Sequence, residues 1–145
     1  GIIWWNLRDG WPVISDAIVD YYNSKKMAYY FIKNVQQDVC VLINDAEDGN
    51  YPLIGTNDTR SAQSGNVTVT DASSGRKIYE GTFRIPANEK VKIASLPEGS
   101  GQGIYLIQYQ IGNQKFMNHY LYGKAPFSLK EYKRLLQKTG LYAKK

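Results

Sequence analysis

Hydrophobic and polar positions follow three different rules along this chain, and each rule predicts a different kind of element. Gly1 to Leu7 is a nearly continuous apolar and aromatic run, the pattern of a strand buried on both faces. Asp9-Gly10-Trp11-Pro12 follows as turn chemistry. From Ser24, Met27, Ala28, Tyr30 and Phe31 recur at helical spacing and predict a short amphipathic helix. Strand, loop and helix in this order make one βα unit over residues 1–33.

From residue 34 to 123 the period becomes two. Seven strand candidates follow one another: Val39 to Ile43, Tyr51 to Asn57, Asn66 to Thr70, Arg76 to Phe83, Lys90 to Ala94, Gly103 to Ile111 and Lys115 to Tyr122. Turn clusters such as Asp48-Gly49-Asn50 and Ser73-Ser74-Gly75 separate them, and Ile111-Gly112-Asn113-Gln114-Lys115 reads as a tight hairpin. Seven short strands at this spacing predict a mainly β fold, an immunoglobulin-like β-sandwich. The Cys…Trp…Cys signature of antibody domains is missing, so the expectation concerns architecture alone.

Residues 124–145 return to a helical rule. Ser128 and Glu131 form a capping box, Phe127 and Tyr132 occupy the staple positions, and Leu129, Tyr132, Leu135 and Leu136 make one apolar stripe. Gly140 is the stop signal. Such a stripe needs a surface to cover, so the helix is expected to dock on the sandwich.

Composition changes this picture in a few places. The 145 residues suit an ordinary globular chain, with 12 Tyr, 3 Trp and 4 Phe. The net charge of +5 is unevenly spread: residues 124–145 carry +6 and residues 1–123 carry −1. Basicity is thus the solvated face of the last helix, and no nucleic-acid partner is expected. No apolar run suits a membrane span, so no membrane partner is expected either. The chain opens on Gly1 directly into an apolar strand pattern, which reads as a fragment of a longer protein. An orphaned barrel strand of this kind would pair with another copy or repack, and removal of residues 1–33 should leave a folded sandwich.

Catalytic and metal-binding signals are sparse. Cys40 is the single cysteine and His119 the single histidine. Cys40 sits in an apolar strand as an inert thiol, and His119 reads as a half-exposed sheet residue. Asp45, Glu47, Asp48 and Asn50 read as a turn rather than a Ca²⁺ loop, because the spacing of an EF-hand is absent. Glu80, Glu89 and Glu98 are solvated charges at strand ends, not a catalytic pair. No cofactor or metal is expected. Asn57-Asp58-Thr59 and Asn66-Val67-Thr68 are glycosylation sequons, with meaning only in a eukaryotic secretory pathway.

All three tryptophans, Trp4, Trp5 and Trp11, fall in the first eleven residues. Flat aromatics flanked by Asn6, Arg8 and Asp9 suit the apolar C–H face of a sugar ring, and they equally suit the packed core of the first piece. The run Gly1-Ile2-Ile3-Trp4-Trp5-Asn6-Leu7-Arg8-Asp9-Gly10-Trp11-Pro12 resembles the last barrel strand of family 2 glycoside hydrolases, closest to the β-mannosidase-like branch with its Gly-x-x-Tyr-Trp-Gln-Leu-Asn-Asp-x-Trp-Pro pattern. Ser15, Asp20, Tyr21, Tyr22, Lys26 and Tyr30 continue the likeness, and an immunoglobulin-like module follows the barrel in that family too.

The resemblance implies a C-terminal, non-catalytic piece of a retaining β-glycosidase whose two carboxylates precede this segment. It implies a sugar subsite to which Trp4, Trp5, Asn6 and Asp9 contribute, with Trp5 as its floor and Asp9 as a loop anchor or subsite contact. Trp11 would pack the loop. Trp4, Asn6 and Arg8 depart from the family's Tyr, Gln and Asn, so the sugar preference stays open. The implied partners are the rest of the barrel and, through it, a β-glycoside; a glycan-degrading parent fits the periplasm or the exterior. Two rivals remain. One is a stand-alone carbohydrate-binding module, with Tyr105, Tyr109, Tyr120 and Tyr122 as its platform unless they pack under the terminal helix. The other is a structural immunoglobulin-like domain.

Overall fold

The computed structural model describes residues 5–141. The chain divides into two compact units, one ending at Gln36 and one starting at Gln37. In the second unit the seven strands are β1 (Val39–Ile43), β2 (Asn50–Asn57), β3 (Gln63–Asp71), β4 (Lys77–Ile85), β5 (Glu89–Pro97), β6 (Gly103–Ile111) and β7 (Gln114–Tyr122). They form two antiparallel sheets, β1-β2-β5 and β4-β3-β6-β7. The molecule is therefore mainly β, with an immunoglobulin-like sandwich. Several strands run past the alternating residues that predict them. At Gln63–Gly65, for example, pairing with Ile85–Phe83 holds the backbone extended where the side-chain pattern is silent. Gly65 is required there, because a Cβ would overlap the Gln110 carbonyl oxygen.

The two-residue period decides which side chains meet between the sheets. Val39, Val41 and Ile43 of β1, Leu53 of β2, Val67 and Val69 of β3, Phe83 and Ile85 of β4, and Ile107 of β6 all join one buried core. Full burial of each such side chain contributes about 1.5–3 kcal/mol. The tyrosines sit in the same core. Tyr105 and Tyr122 stack at 4.4 Å, Tyr51 meets Tyr105 edge-on at 6.3 Å, and Tyr109 stacks on Phe116 at 5.0 Å. Tyr105, Tyr109 and Tyr122 are buried and Tyr120 is half-buried against them. These rings consequently form no open platform for glycan. Nor do they pack under the terminal helix, because their strand positions put them on the opposite face.

That helix, α2 (Leu129–Leu136), covers the outer face of the four-stranded sheet instead. Leu135 packs with Ala72 and Ile104, and Tyr132 and Leu106 close the cluster. Its start follows the sequence signal: the Ser128 hydroxyl accepts a hydrogen bond from the Glu131 backbone N–H. A 3₁₀ turn, Gln137–Thr139, follows, and Gly140 closes it at φ 68°. Leu129, expected on the buried stripe, is exposed. It lies at the first helical position, beyond the reach of the sheet cluster.

Buried polar groups are satisfied by geometry that no pattern announces. Asn57 is wholly buried, and its Nδ2 donates to the carbonyls of Ser61 (2.8 Å), Pro86 (2.9 Å) and Ile85 (3.2 Å). Its Oδ1 accepts from the Thr59 N–H and hydroxyl. One amide thus ties β2, β4 and the loop between β2 and β3 together, and the nitrogen of this sequon is committed to the fold. Asp71 is buried too. Burial alone would raise its pKa, but the Ser74 N–H and hydroxyl and the Tyr122 hydroxyl hold it below the ordinary carboxylate value. Residues 47–50 are a tight turn with mutual Glu47–Asn50 backbone bonds and with Asp48 and Gly49 at positive φ, as the turn reading requires.

In the first unit, α1 spans Met27–Val35, two residues past the expected limit of this piece. Residues 1–4 of the expected strand lie outside the described residues. Trp5, Asn6 and Leu7 form no strand, and the pairing present is a parallel bridge between Arg8 and Val19. A parallel strand takes its ladder from flanking strands, and among the described residues of this unit only Val19 supplies such a bond.

Replacing Asn57 by Ala removes the amide donor from the buried Ile85 carbonyl and from the Ser61 and Pro86 carbonyls, and the acceptor of the Thr59 N–H and hydroxyl. Asn57→Ala should therefore cost about 2–4 kcal/mol in urea unfolding. A loss below about 1 kcal/mol would contradict the role given to this amide.

Candidate functional site

The aromatic loop of the first unit is organised around one carboxylate. Asp9 is buried, at 5% exposure, although its neighbours Arg8 and Gly10 are exposed. Two backbone bonds place it: the Asp9 N–H donates to the Val19 carbonyl at 3.1 Å, and the Val19 N–H to Leu7 at 3.0 Å. The Ser15 hydroxyl donates to Asp9 Oδ1 and accepts from the Ala17 N–H at 3.0 Å. Lys26 Nζ lies 3.1 Å from Asp9 Oδ2 and donates to the Ser15 carbonyl at 3.0 Å. A hydroxyl and an ammonium from two later segments thereby fold the chain between residues 9 and 26 back on itself.

These contacts set the charge of the group. The Ser15 hydroxyl hydrogen bond, against burial and together with Lys26, holds the Asp9 carboxyl below its ordinary value. Asp9 is thus a fixed anion that anchors the loop. A general acid would need the opposite shift.

A second set of bonds fixes the 20–24 turn. The Ser24 N–H donates to Asp20 Oδ1 at 2.7 Å, and the Asp20 N–H to the Ser24 carbonyl at 2.9 Å. Arg8 Nη2 donates to the Tyr21 carbonyl at 3.1 Å. Between turn and loop lies an open groove of about 340 Å³, lined by Pro12, Val13, Ile14, Asp20, Tyr21 and Tyr22.

The four sequence candidates separate. Trp4 lies outside the described residues. Trp5 is 75% exposed and Asn6 is exposed beside it, joined by a cis peptide bond. Asp9 is withdrawn into the clamp, so it does not share an open surface with them. Trp11 was expected to pack the loop and is 68% exposed, with Ile14 and Tyr22 exposed nearby in sequence. The sequence reading also missed what Ser15 and Lys26 do. Both belong to the family-like spacing, but neither spacing nor composition says that they converge on Asp9.

The arrangement can present aromatic faces to an apolar surface. The carboxylates of this unit are Asp9, Asp16 and Asp20, of which Asp9 is consumed by the clamp. Among the described residues no cluster of His, Cys, Asp or Glu is suited to a metal ion.

Comparison with known proteins gives this geometry a context. No protein-family model matches the chain. The crystal structure of β-D-mannosidase from Dictyoglomus thermophilum superposes with a TM-score of 0.66 at 27% identity, over 82% of this chain and 16% of that one. The sandwich unit is about three quarters of the chain, so this match reaches beyond it. Beta-mannosidase B of Aspergillus niger is 49% identical over 41 residues, which are 28% of this chain and 5% of that enzyme. The chain therefore spans a small part of the relatives it matches. Both relatives are glycoside-hydrolysing enzymes by name, and the chain is similar to a part of each. More narrowly, it is similar to the C-terminal region of β-mannosidases, as the resemblance in its opening residues implies.

The Asp9 clamp has a pH signature. Its folded pKa lies below the unfolded one, so its contribution is complete above the ordinary carboxylate range and is lost as pH falls through the folded value. Exchange protection of the Asp9, Val19 and Lys26 amides should fall on acidification below about pH 4. In Asp9→Asn the same amides should be poorly protected already at pH 7. Equal protection in the two proteins would contradict the clamp.

Proposed function

We propose that this segment is the non-catalytic C-terminal part of a retaining β-glycosidase acting on β-mannosides. In this reading the sandwich buttresses a (β/α)₈ barrel whose two catalytic carboxylates lie elsewhere in the parent. Trp5 and Asn6 add an aromatic floor and a neighbouring amide to a sugar subsite, at the end of a barrel strand where such sites are built. Asp9 serves them indirectly, as the anchor of their loop.

The observation that carries the reading is the contrast within residues 5–26. An ion pair and a hydroxyl on the buried Asp9 carboxylate fix the backbone, while Trp5, Trp11 and Tyr22 stand largely exposed. Large aromatics held out on an anchored loop suit a surface made to be met, here by the rest of the barrel and by substrate. The similarity to two β-mannosidases supports the choice of sugar class. Without the barrel the same surface would be open to a second copy of the chain.

The test is kinetic and uses the full-length parent. Trp5→Ala should lower kcat/KM on an aryl β-mannoside about 10- to 100-fold, the scale of a lost stacking contact, with the melting temperature unchanged. Unchanged kcat/KM in a folded variant would remove Trp5 from the subsite.

A further inference from the structure

The outer face of the four-stranded sheet changes character along its length. At one end Ile104 and Leu106 lie under α2. Two residues further along β6 the helix is gone, and an open groove of about 480 Å³ crosses three strands. Its walls come from two cross-strand rows, Asn66–Gln110–Lys115 and Thr68–Gln108–Met117, each spanning β3, β6 and β7 in register. Tyr109 and Phe116 border it along the same strands, with their stacked rings turned to the core between the sheets. Its volume falls within the range of about 300–1,000 Å³ usual for small-molecule sites.

The chemistry of these rows differs from that of the strands around them. Exposed positions on β4 carry Lys77, Glu80 and Arg84, and those on β5 carry Glu89, Lys90 and Lys92. Charged residues are the ordinary dress of an exposed strand. The groove instead gathers three carboxamides and a hydroxyl, with one cation, Lys115, and no carboxylate. Gln110 is held by a hydrogen bond from its Nε2 to the Gly112 carbonyl at 2.8 Å.

Each carboxamide offers two donors and two acceptor sites, a match for neighbouring hydroxyls, which both give and take hydrogen bonds. A single cation is too few for phosphate or nucleic acid. A permanent protein interface would be more apolar at its centre than two amide rows. Sugar rings combine ranked hydroxyls with an apolar C–H face, and Met117, on the same outer face as the amides, supplies the apolar part. We infer that this groove is a second, non-catalytic site for a neutral oligosaccharide, with Asn66, Gln108 and Gln110 as its hydrogen-bonding residues. It is independent of the aromatic loop in the first unit. Because every tryptophan lies in residues 1–11, tryptophan fluorescence does not report on it.

The probe is a titration of the ¹⁵N-labelled chain with β-1,4-mannotriose and, separately, cellotriose, followed by NMR. Saturable shifts of the Asn66, Gln108 and Gln110 side-chain amides are expected. Gln108→Ala with Gln110→Ala should weaken binding about tenfold, as two lost hydrogen bonds imply. Asn66→Ala provides a second variant should that pair disturb the sheet. Lys115→Ala should leave affinity within about twofold, and added salt should have little effect, as for a neutral ligand. No saturable shift with either sugar, shifts confined to residues 5–36, or shifts indifferent to these amide substitutions would each overturn the assignment. So would binding that disappears with Lys115 or with salt, which would mark an anion site.

Discussion

The structure hangs on β6 and on the strict alternation that one strand imposes. Tyr105, Ile107 and Tyr109 point into the space between the sheets, so Ile104, Leu106 and Gln108 must point out. A strand with one apolar face would be satisfied by the sandwich alone. This one is apolar on both faces over its first half, and there α2 covers the outer face. Where the outward residues become Gln108 and Gln110, nothing apolar remains for the helix to bury. The same alternation that builds the core therefore sets the extent of the helix cover and the start of the polar groove.

Two buried polar groups perform for loops what β6 performs for the sheets. Asn57 fixes the loop between β2 and β3 through five hydrogen bonds from a wholly buried amide. Asp9 fixes the aromatic loop through Ser15 and Lys26. Each replaces lost hydration with directed partners, and so each specifies one loop geometry where a hydrophobic contact would tolerate several. In the first unit this leaves the exposed aromatics on a fixed base, which is the property a shared sugar subsite requires.

Strand positions were legible wherever alternation was dense, as along Ile104 to Gln110, and the Gly112-Asn113 hairpin followed from its turn residues. The capping box at Ser128 and Glu131 could also be read directly, since capping is local. Long-range choices were not legible. Tyr105 and Tyr122 offer the same pattern whether they face a helix or a second sheet, and only the presence of β1, β2 and β5 across the core decides it. Leu129 belongs to the helical stripe by spacing, but whether a stripe position is covered depends on where the sheet cluster ends. At the candidate site the aromatics and Asp9 stood out by composition and by family-like spacing. The convergence of Ser15 and Lys26 on Asp9 carries no local signal, because it joins residues six and seventeen apart through a tertiary fold-back. The opening strand pattern was read from apolar residues alone, whereas a parallel strand also needs flanking partners to supply its hydrogen bonds.

The central claim is that this chain completes a sugar site belonging to a catalytic barrel. Complementation in trans tests it most directly: the parent truncated just before this segment is mixed with the chain, and hydrolysis of an aryl β-mannoside is followed. The account predicts that the truncated parent is inactive or nearly so, and that the full chain restores hydrolysis where residues 37–145 alone do not. Full activity without the chain, or equal restoration by the sandwich alone, would contradict it.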